Sequence, residues 1–168
     1  MRLMKSRAAI GALTVAIAVS LAAPAATAAP APNHVREMAW GNTSKEVLAY
    51  AKAMQALAPQ EASLLARYGA VTGANYTTDK RMYTALVKLI PDLQKFIGKV
   101  EAVKTYNAKI AAVHEIYISA WNLQIEGMTM AMSALEQGSY ATMAKANAKL
   151  SAGRAKMRQY ILKVKALA

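Results

Sequence analysis

The sequence predicts an all-α protein, an antiparallel four-helix bundle with kinks near Pro59 and Pro91. Of its 168 residues, 55% are hydrophobic but only 7% are aromatic, and β-branched and aromatic residues are too sparse for a sheet protein. Apolar residues recur at spacings of three and four along four successive segments of similar length. At about 1.5 Å per residue each segment would form a helix roughly 40 Å long, which suits a bundle with short connections. The predicted helices span 44–72, 79–104, 107–137 and 139–168.

The first 28 residues are typical of a cleaved secretory signal peptide. A positively charged segment, Arg2 to Arg7, precedes an apolar run over 8–21, and Ala26-Thr27-Ala28 supplies a cleavage site. The apolar run has 14 residues, whereas about 20 are needed to cross a bilayer. We therefore expect a secreted protein, in the extracellular or periplasmic/cell-wall space, with no transmembrane anchor after cleavage. A flexible N-terminal arm is predicted over 29–43 and the helical domain over 44–168.

The first helix is predicted to begin at a capping box, Thr43-Ser44-Lys45-Glu46, whose side chains satisfy backbone N–H groups of the first turn. Pro59 either kinks this helix or begins its continuation. Residues 72–78 form the clearest loop, because they contain Gly73 and Asn75.

The second helix is predicted to start at Thr78 or Asp79 and to carry a heptad-like apolar seam that only Pro91 interrupts. Its weakest boundary is Thr105-Tyr106-Asn107, which contains neither Gly nor Pro. If that segment were helical, the second and third helices would merge, giving a three-helix arrangement with one long central helix. The four-helix arrangement is favoured.

Gly138 and Ser139 separate the third helix from the fourth, since Gly suits the residue after a helix and Ser suits the N-cap of the next. Polar residues interrupt the apolar stripe of the third helix at His114 and Gln124, where they can fix the register between helices. In the fourth helix the apolar positions repeat every seven residues, at Met143, Leu150, Met157 and Val164.

Metal and haem sites are weakly indicated. Without cysteine the chain can hold no disulfide, thiolate zinc site or cysteine nucleophile. Met128 and Met132 share a helix face and thioethers suit Cu(I), but Met130 points elsewhere, so the three sulfur atoms cannot meet at one ion. His114 lies about 21 Å along the helix from Met128 and is more plausible as a core histidine bonded to Tyr, Gln or a carbonyl. No cofactor is predicted, and a metal site at His114, Met128 or Met132 is not favoured.

No enzymatic motif is present. The acidic residues are scattered, and Glu115 and Glu126, on one face of the third helix, are about 16 Å apart, too far to act on one bond. The chain has no glycine-rich phosphate loop, nucleophilic serine elbow or di-iron E-x-x-H pair. We therefore predict a protein that is not an enzyme.

Charge asymmetry is the most informative feature of the chain. The segment after residue 28 carries 18 basic and 9 acidic residues, and from Gln137 onward there are seven basic residues and no acids. A helical wheel places these cations on two flanks of the apolar stripe: Lys145, Lys149, Lys156 and Lys163 on one, and Arg154, Arg158 and Lys165 on the other.

These cations predict binding at or outside the cell envelope to an anionic polymer, a lipid surface or an acidic protein. Nucleic acid is a less suitable partner, because the predicted protein is exported and the helix lacks an aromatic series. The alternative function is a small-ligand, haem or copper carrier that uses the bundle core around His114, Trp121 and Met128.

Overall fold

The computed structural model describes residues 45–167, and within that range the chain forms four helices and no strand. This confirms the all-α bundle. The predicted signal peptide, the N-terminal arm and the cap residue Thr43 lie outside the described residues. The helices are α1 (Lys45–Gly69), α2 (Asp79–Glu101), α3 (Ala108–Gln137) and α4 (Tyr140–Lys165).

Successive helices pack against each other, α1 on α2, α2 on α3 and α3 on α4. Their connections are short, and short connections make neighbouring helices antiparallel. The first connection contains one 3-10 turn at Gly73–Asn75, and the last consists of Gly138 and Ser139. None of the described helices is long and apolar enough to cross a membrane.

The chain breaks between α2 and α3 despite having no Gly or Pro there. Asn107 has an extended backbone (φ −150°, ψ 165°), and its side-chain oxygen accepts a hydrogen bond from the Ile110 N–H at 2.9 Å. This side-chain cap satisfies a donor that the first turn of a helix leaves unpaired, so a new helix begins at Ala108. The alternative with one long central helix is therefore wrong.

Both internal prolines lie within continuous helices, Pro59 in α1 and Pro91 in α2. The first helix thus does not restart at Pro59. It ends at Gly69 rather than at Thr72, whose hydroxyl donates to the Tyr68 carbonyl at 2.9 Å. At the same end of the bundle, Gly138 adopts the left-handed conformation (φ 64°) that was predicted after α3.

The closest helix contact is between α3 and α4, where glycines permit it. A Cβ atom on Gly127 would lie 2.7 Å from Leu150 Cγ, and one on Gly153 would lie 2.9 Å from the Ala120 carbonyl oxygen. Small residues therefore hold α4 at a fixed depth and rotation on α3. That rotation decides which side chains of α4 face solvent.

Polar side chains fasten α1 to the other helices at its ends. Arg67 forms an ion pair with Asp92 of α2 at 2.8 Å, and the Asn107 amide donates to Glu46 at 2.6 Å. Both contacts are exposed, so each adds little to stability beyond setting the position of α1.

Candidate anion-binding surface

The fourth helix buries its apolar stripe and directs most of its cations outward. Met143, Leu150 and Val164 lie in the core, while alanine is the commonest residue on the part of α4 that faces solvent. This arrangement follows from the seven-residue repeat, because residues seven apart lie on nearly the same side of a helix. The cations border the alanine-rich strip on both sides.

Six of the seven predicted basic residues reach the surface. Lys145, Lys163, Arg158 and Lys165 are exposed, and Lys149 and Lys156 are half-buried. Lys149 pairs with Glu126 of α3 at 2.8 Å. The other basic residues of α4 form no ion pair within the described part of the chain. We call these six residues, Lys145, Lys149, Lys156, Arg158, Lys163 and Lys165, the α4 basic surface.

Arg154 departs from the prediction, because it is only 8% exposed and lies inside the bundle. Burial lowers the pKa of its guanidinium, which nonetheless stays protonated in a protein. Burial raises the pKa of Tyr68 of α1 to about 12, and the positive charge of Arg154 offsets part of that rise. The available sequence signal for this burial is that Arg154 lies seven residues before the apolar Ile161, on nearly the same side of the helix.

The alternative carrier site places its residues in the core. His114 is 3% exposed, and its Nδ1 shares a hydrogen bond of 3.2 Å with the Tyr50 hydroxyl. This confirms the prediction that His114 is a core histidine hydrogen-bonded to a tyrosine. Met128 is buried and Met132 half-buried, and Trp121 packs edge-on against Phe96 with ring centroids 5.5 Å apart. Within residues 45–167 no group of three or more His, Asp or Glu side chains could hold a metal ion.

A half-buried acid near these aromatic rings escaped the sequence analysis. Glu61 of α1 lies against Tyr117 and Trp121 of α3, and burial raises the pKa of its carboxyl well above the usual range. The Tyr117 hydroxyl and the Trp121 indole act on the carboxylate as donors and offset part of that rise, although Trp121 Nε1 lacks a hydrogen bond of regular geometry. Glu61 lies seven residues after Met54 and seven before Tyr68, both buried, and this spacing was the available signal.

Tyrosine hydroxyls extend the polar cluster from α1 to α4. Burial raises the pKa of Tyr50 to about 12, with the Tyr160 hydroxyl lowering it in part. The Tyr117 and Tyr160 rings lie 4.7 Å apart, and burial raises both of their pKa values too. Burial conversely lowers the pKa of His114. At neutral pH these groups thus favour their uncharged forms, which makes the cluster a stability element sensitive to pH.

Wild type should lose stability as pH rises because Glu61 ionises, and the Glu61→Gln variant should not show this loss. The pKa of Glu61 is raised in the folded protein, whereas in the unfolded chain a Glu has a pKa of about 4.3. There is therefore a pH range in which the folded protein still holds this proton and the unfolded chain has lost it. Stability due to this group is therefore complete at low pH and falls with rising pH until the folded carboxyl ionises. Gln has a similar shape and cannot ionise. Urea unfolding at pH 5 and pH 8 should show the variant gaining stability relative to wild type at pH 8.

His114 acts in the opposite direction and is present in both proteins, so the difference between them isolates Glu61. Its lowered pKa makes stability fall as pH drops below about 6.5. An equal difference between variant and wild type at the two pH values would contradict the assignment of a raised Glu61 pKa.

No protein-family model matches the chain, and neither a characterised protein nor a solved structure shows significant similarity to it. The surface of the bundle is consequently the basis for any statement about function.

Proposed function

We propose that this protein is a secreted, non-enzymatic helical protein that binds anionic polymers at or outside the cell envelope through the α4 basic surface. The proposal rests on one observation, that the apolar residues and the cations of α4 lie on different parts of the helix. Its apolar stripe lies in the core while six cations reach the surface, and α4 contains no acidic residue. The helix thus serves the fold and remains available for binding.

A polymer suits this surface better than a lipid bilayer does. Amphipathic helices bind membranes by burying bulky apolar side chains among the lipids. In α4 the bulky apolar residues Met143, Leu150 and Val164 are already buried, and the large exposed ones are only Tyr140 and Leu162. Binding to a polymer needs only charge, since each phosphate or carboxylate that meets a lysine releases bound counterions.

Binding should be strong at low salt and should weaken steeply as salt rises. The screening length is about 30 Å at 0.01 M and about 8 Å at 0.15 M ionic strength, so exposed cations lose their reach over this range. We expect the variant with Lys145, Lys149, Lys156 and Lys163 all changed to Gln to bind an anionic polymer at least about a hundredfold more weakly. Four lysines at roughly 1 kcal/mol each near an anionic surface amount to about 4 kcal/mol. Fluorescence anisotropy with labelled poly(glycerol phosphate), titrated at several salt concentrations, measures this.

A matched control separates local binding from net charge. Changing Lys45, Lys52, Lys104 and Lys109 to Gln removes the same charge from exposed positions outside α4. This control should bind nearly as wild type does, and circular dichroism should show both variants to be helical, because Gln is a comparable helix former. Equal weakening in the two variants would show that binding depends on net charge alone. Unchanged binding in the α4 variant would show that the α4 basic surface is not the binding site.

A further inference from the structure

The start of α2 bears a second group of cations, on a part of the surface distant in sequence from α4. A groove of about 550 Å³ runs along the first turns of this helix and the connection before it. Its described lining includes three cations and no acid: Val71, Thr78, Lys80, Arg81, Thr84, Ala85 and Lys88. A groove lined in this way is complementary to negative charge.

Nearby acids do not cancel this charge, because the three cations face a single acid, Asp79, that forms no ion pair within the described residues. The Asp79 carboxylate accepts a hydrogen bond from the Tyr76 hydroxyl at 2.6 Å. Asp92, one turn beyond the groove, forms its ion pair with Arg67. Within the described residues neither Lys80 nor Lys88 has an ion-pair partner. The two lysines are exposed, so their ammonium groups remain available to a ligand.

The side chain of Arg81 is held in position at the groove by two hydrogen bonds. Its guanidinium donates to the Ala70 carbonyl and to the Thr77 hydroxyl, each at 3.4 Å, which holds it against the connection. An arginine positioned in advance loses less conformational freedom when it binds a phosphate, and its planar donors suit phosphate oxygens.

The shape of the groove favours an extended ligand over a single ion. Lys80, Thr84 and Lys88 follow one another at intervals of four residues, so they form a row along about 12 Å of the helix. A row of this length can contact successive phosphates of a polymer, whereas one inorganic phosphate would meet only part of it.

The two cationic surfaces face different directions. Both α2 and α4 pack against α3, while α2 and α4 are not packed closely on each other. In an antiparallel bundle with sequential neighbours they occupy diagonal corners, so their solvent faces point away from each other. One polymer lying along α4 would therefore leave the groove on α2 open to another chain.

We infer that the groove at the start of α2 is a second binding site for a phosphate-bearing anionic polymer, and that the protein uses it with the α4 basic surface to bridge two polymer chains. The groove itself is assigned from its own residues, whereas the bridging rests on the proposed function of α4.

The test uses the Lys80→Gln/Lys88→Gln variant, which removes two exposed charges and leaves Arg81 in place. Polyphosphate chains serve as the probe, inorganic phosphate as the monomeric comparison, and light scattering reports the bridging of chains. Wild type should raise the scattering most at an intermediate protein-to-polymer ratio and should respond weakly to inorganic phosphate. The groove variant should bind polyphosphate about thirtyfold more weakly at the groove and lose most of the scattering, while still binding through α4.

Two comparison proteins make the outcomes distinguishable. The Lys145→Gln/Lys149→Gln/Lys156→Gln/Lys163→Gln variant should keep polyphosphate binding at the groove but also lose bridging. The Lys45→Gln/Lys52→Gln variant, with the same charge change as the groove variant, should scatter as wild type does. Scattering in the groove variant equal to that of wild type would overturn the second site. Loss of bridging only in the groove variant, with full bridging in the α4 variant, would instead overturn the proposed function of α4.

Discussion

Replacing Leu93 with Asp is expected to unfold the bundle. Leu93 of α2 is 1% exposed and belongs to the main core cluster, together with Phe96 and Trp121. A carboxylate at this position would lose its hydration without gaining a partner, and the core would lose the leucine side chain as well. The expected loss is about 4 kcal/mol or more, a large part of the stability of a domain of this size. Circular dichroism and urea unfolding of purified variants measure it.

Val87→Asp is the matched control for this change, since Val87 belongs to the same helix but is 45% exposed. Its stability should stay within about 0.5 kcal/mol of wild type, because the introduced charge remains in water. A Leu93→Asp protein that folds as well as the Val87→Asp control would show that the seam of α2 has been misplaced.

Replacing Gly153 with Val should separate α4 from α3 and cost about 3 kcal/mol. The new Cβ would lie 2.7 Å from Gln124 Cγ and 2.9 Å from the Ala120 carbonyl oxygen. The carbonyl belongs to the helix backbone and cannot move aside as a flexible side chain can, so α4 itself must shift. Overpacking of this kind typically costs about 1–3 kcal/mol, and the branched side chain of Val places the expected loss at the upper end.

Gly98→Val provides the comparison, because a Cβ on Gly98 meets nothing within 4 Å and the residue is exposed within α2. Val forms helices slightly better than Gly does, so this variant should be as stable as wild type or more stable. The two substitutions are chemically identical, and opposite signs of their stability changes in thermal unfolding would identify the close α3–α4 contact as the cause. Destabilisation of both to the same extent would contradict it.

A shift of α4 would also move the α4 basic surface, which links stability to binding. The cations of α4 are held in their places by the depth and rotation at which Gly127 and Gly153 set the helix. A variant that disturbs this contact should therefore weaken polymer binding even though it removes no charge. The surface lysine variants should show the converse, a loss of binding with the fold retained.

Periodicity and capping chemistry determined the fold from the sequence. Both are local properties: the spacing of apolar residues follows from 3.6 residues per turn, and Asn107, Ser139 and Gly138 act on backbone groups within a few residues. Four helices were therefore predicted with bounds close to those observed. Three helices end three residues before the predicted position, at Gly69, Glu101 and Lys165. In the first two, the apolar spacing continues past the last helical residue, to Val71 and Val103.

Only the tertiary structure decided which charged residues belong to the surface. The sequence marked Arg154 as a surface cation and did not single out Glu61, whereas the bundle buries Arg154 where its charge acts on Tyr68 and places Glu61 against Tyr117. The groove at Lys80, Arg81 and Lys88 likewise depends on how the connection after α1 folds beside α2. The physical reason is that burial and charge pairing are set by partners on other helices, and the spacing of residues within one helix does not specify those partners.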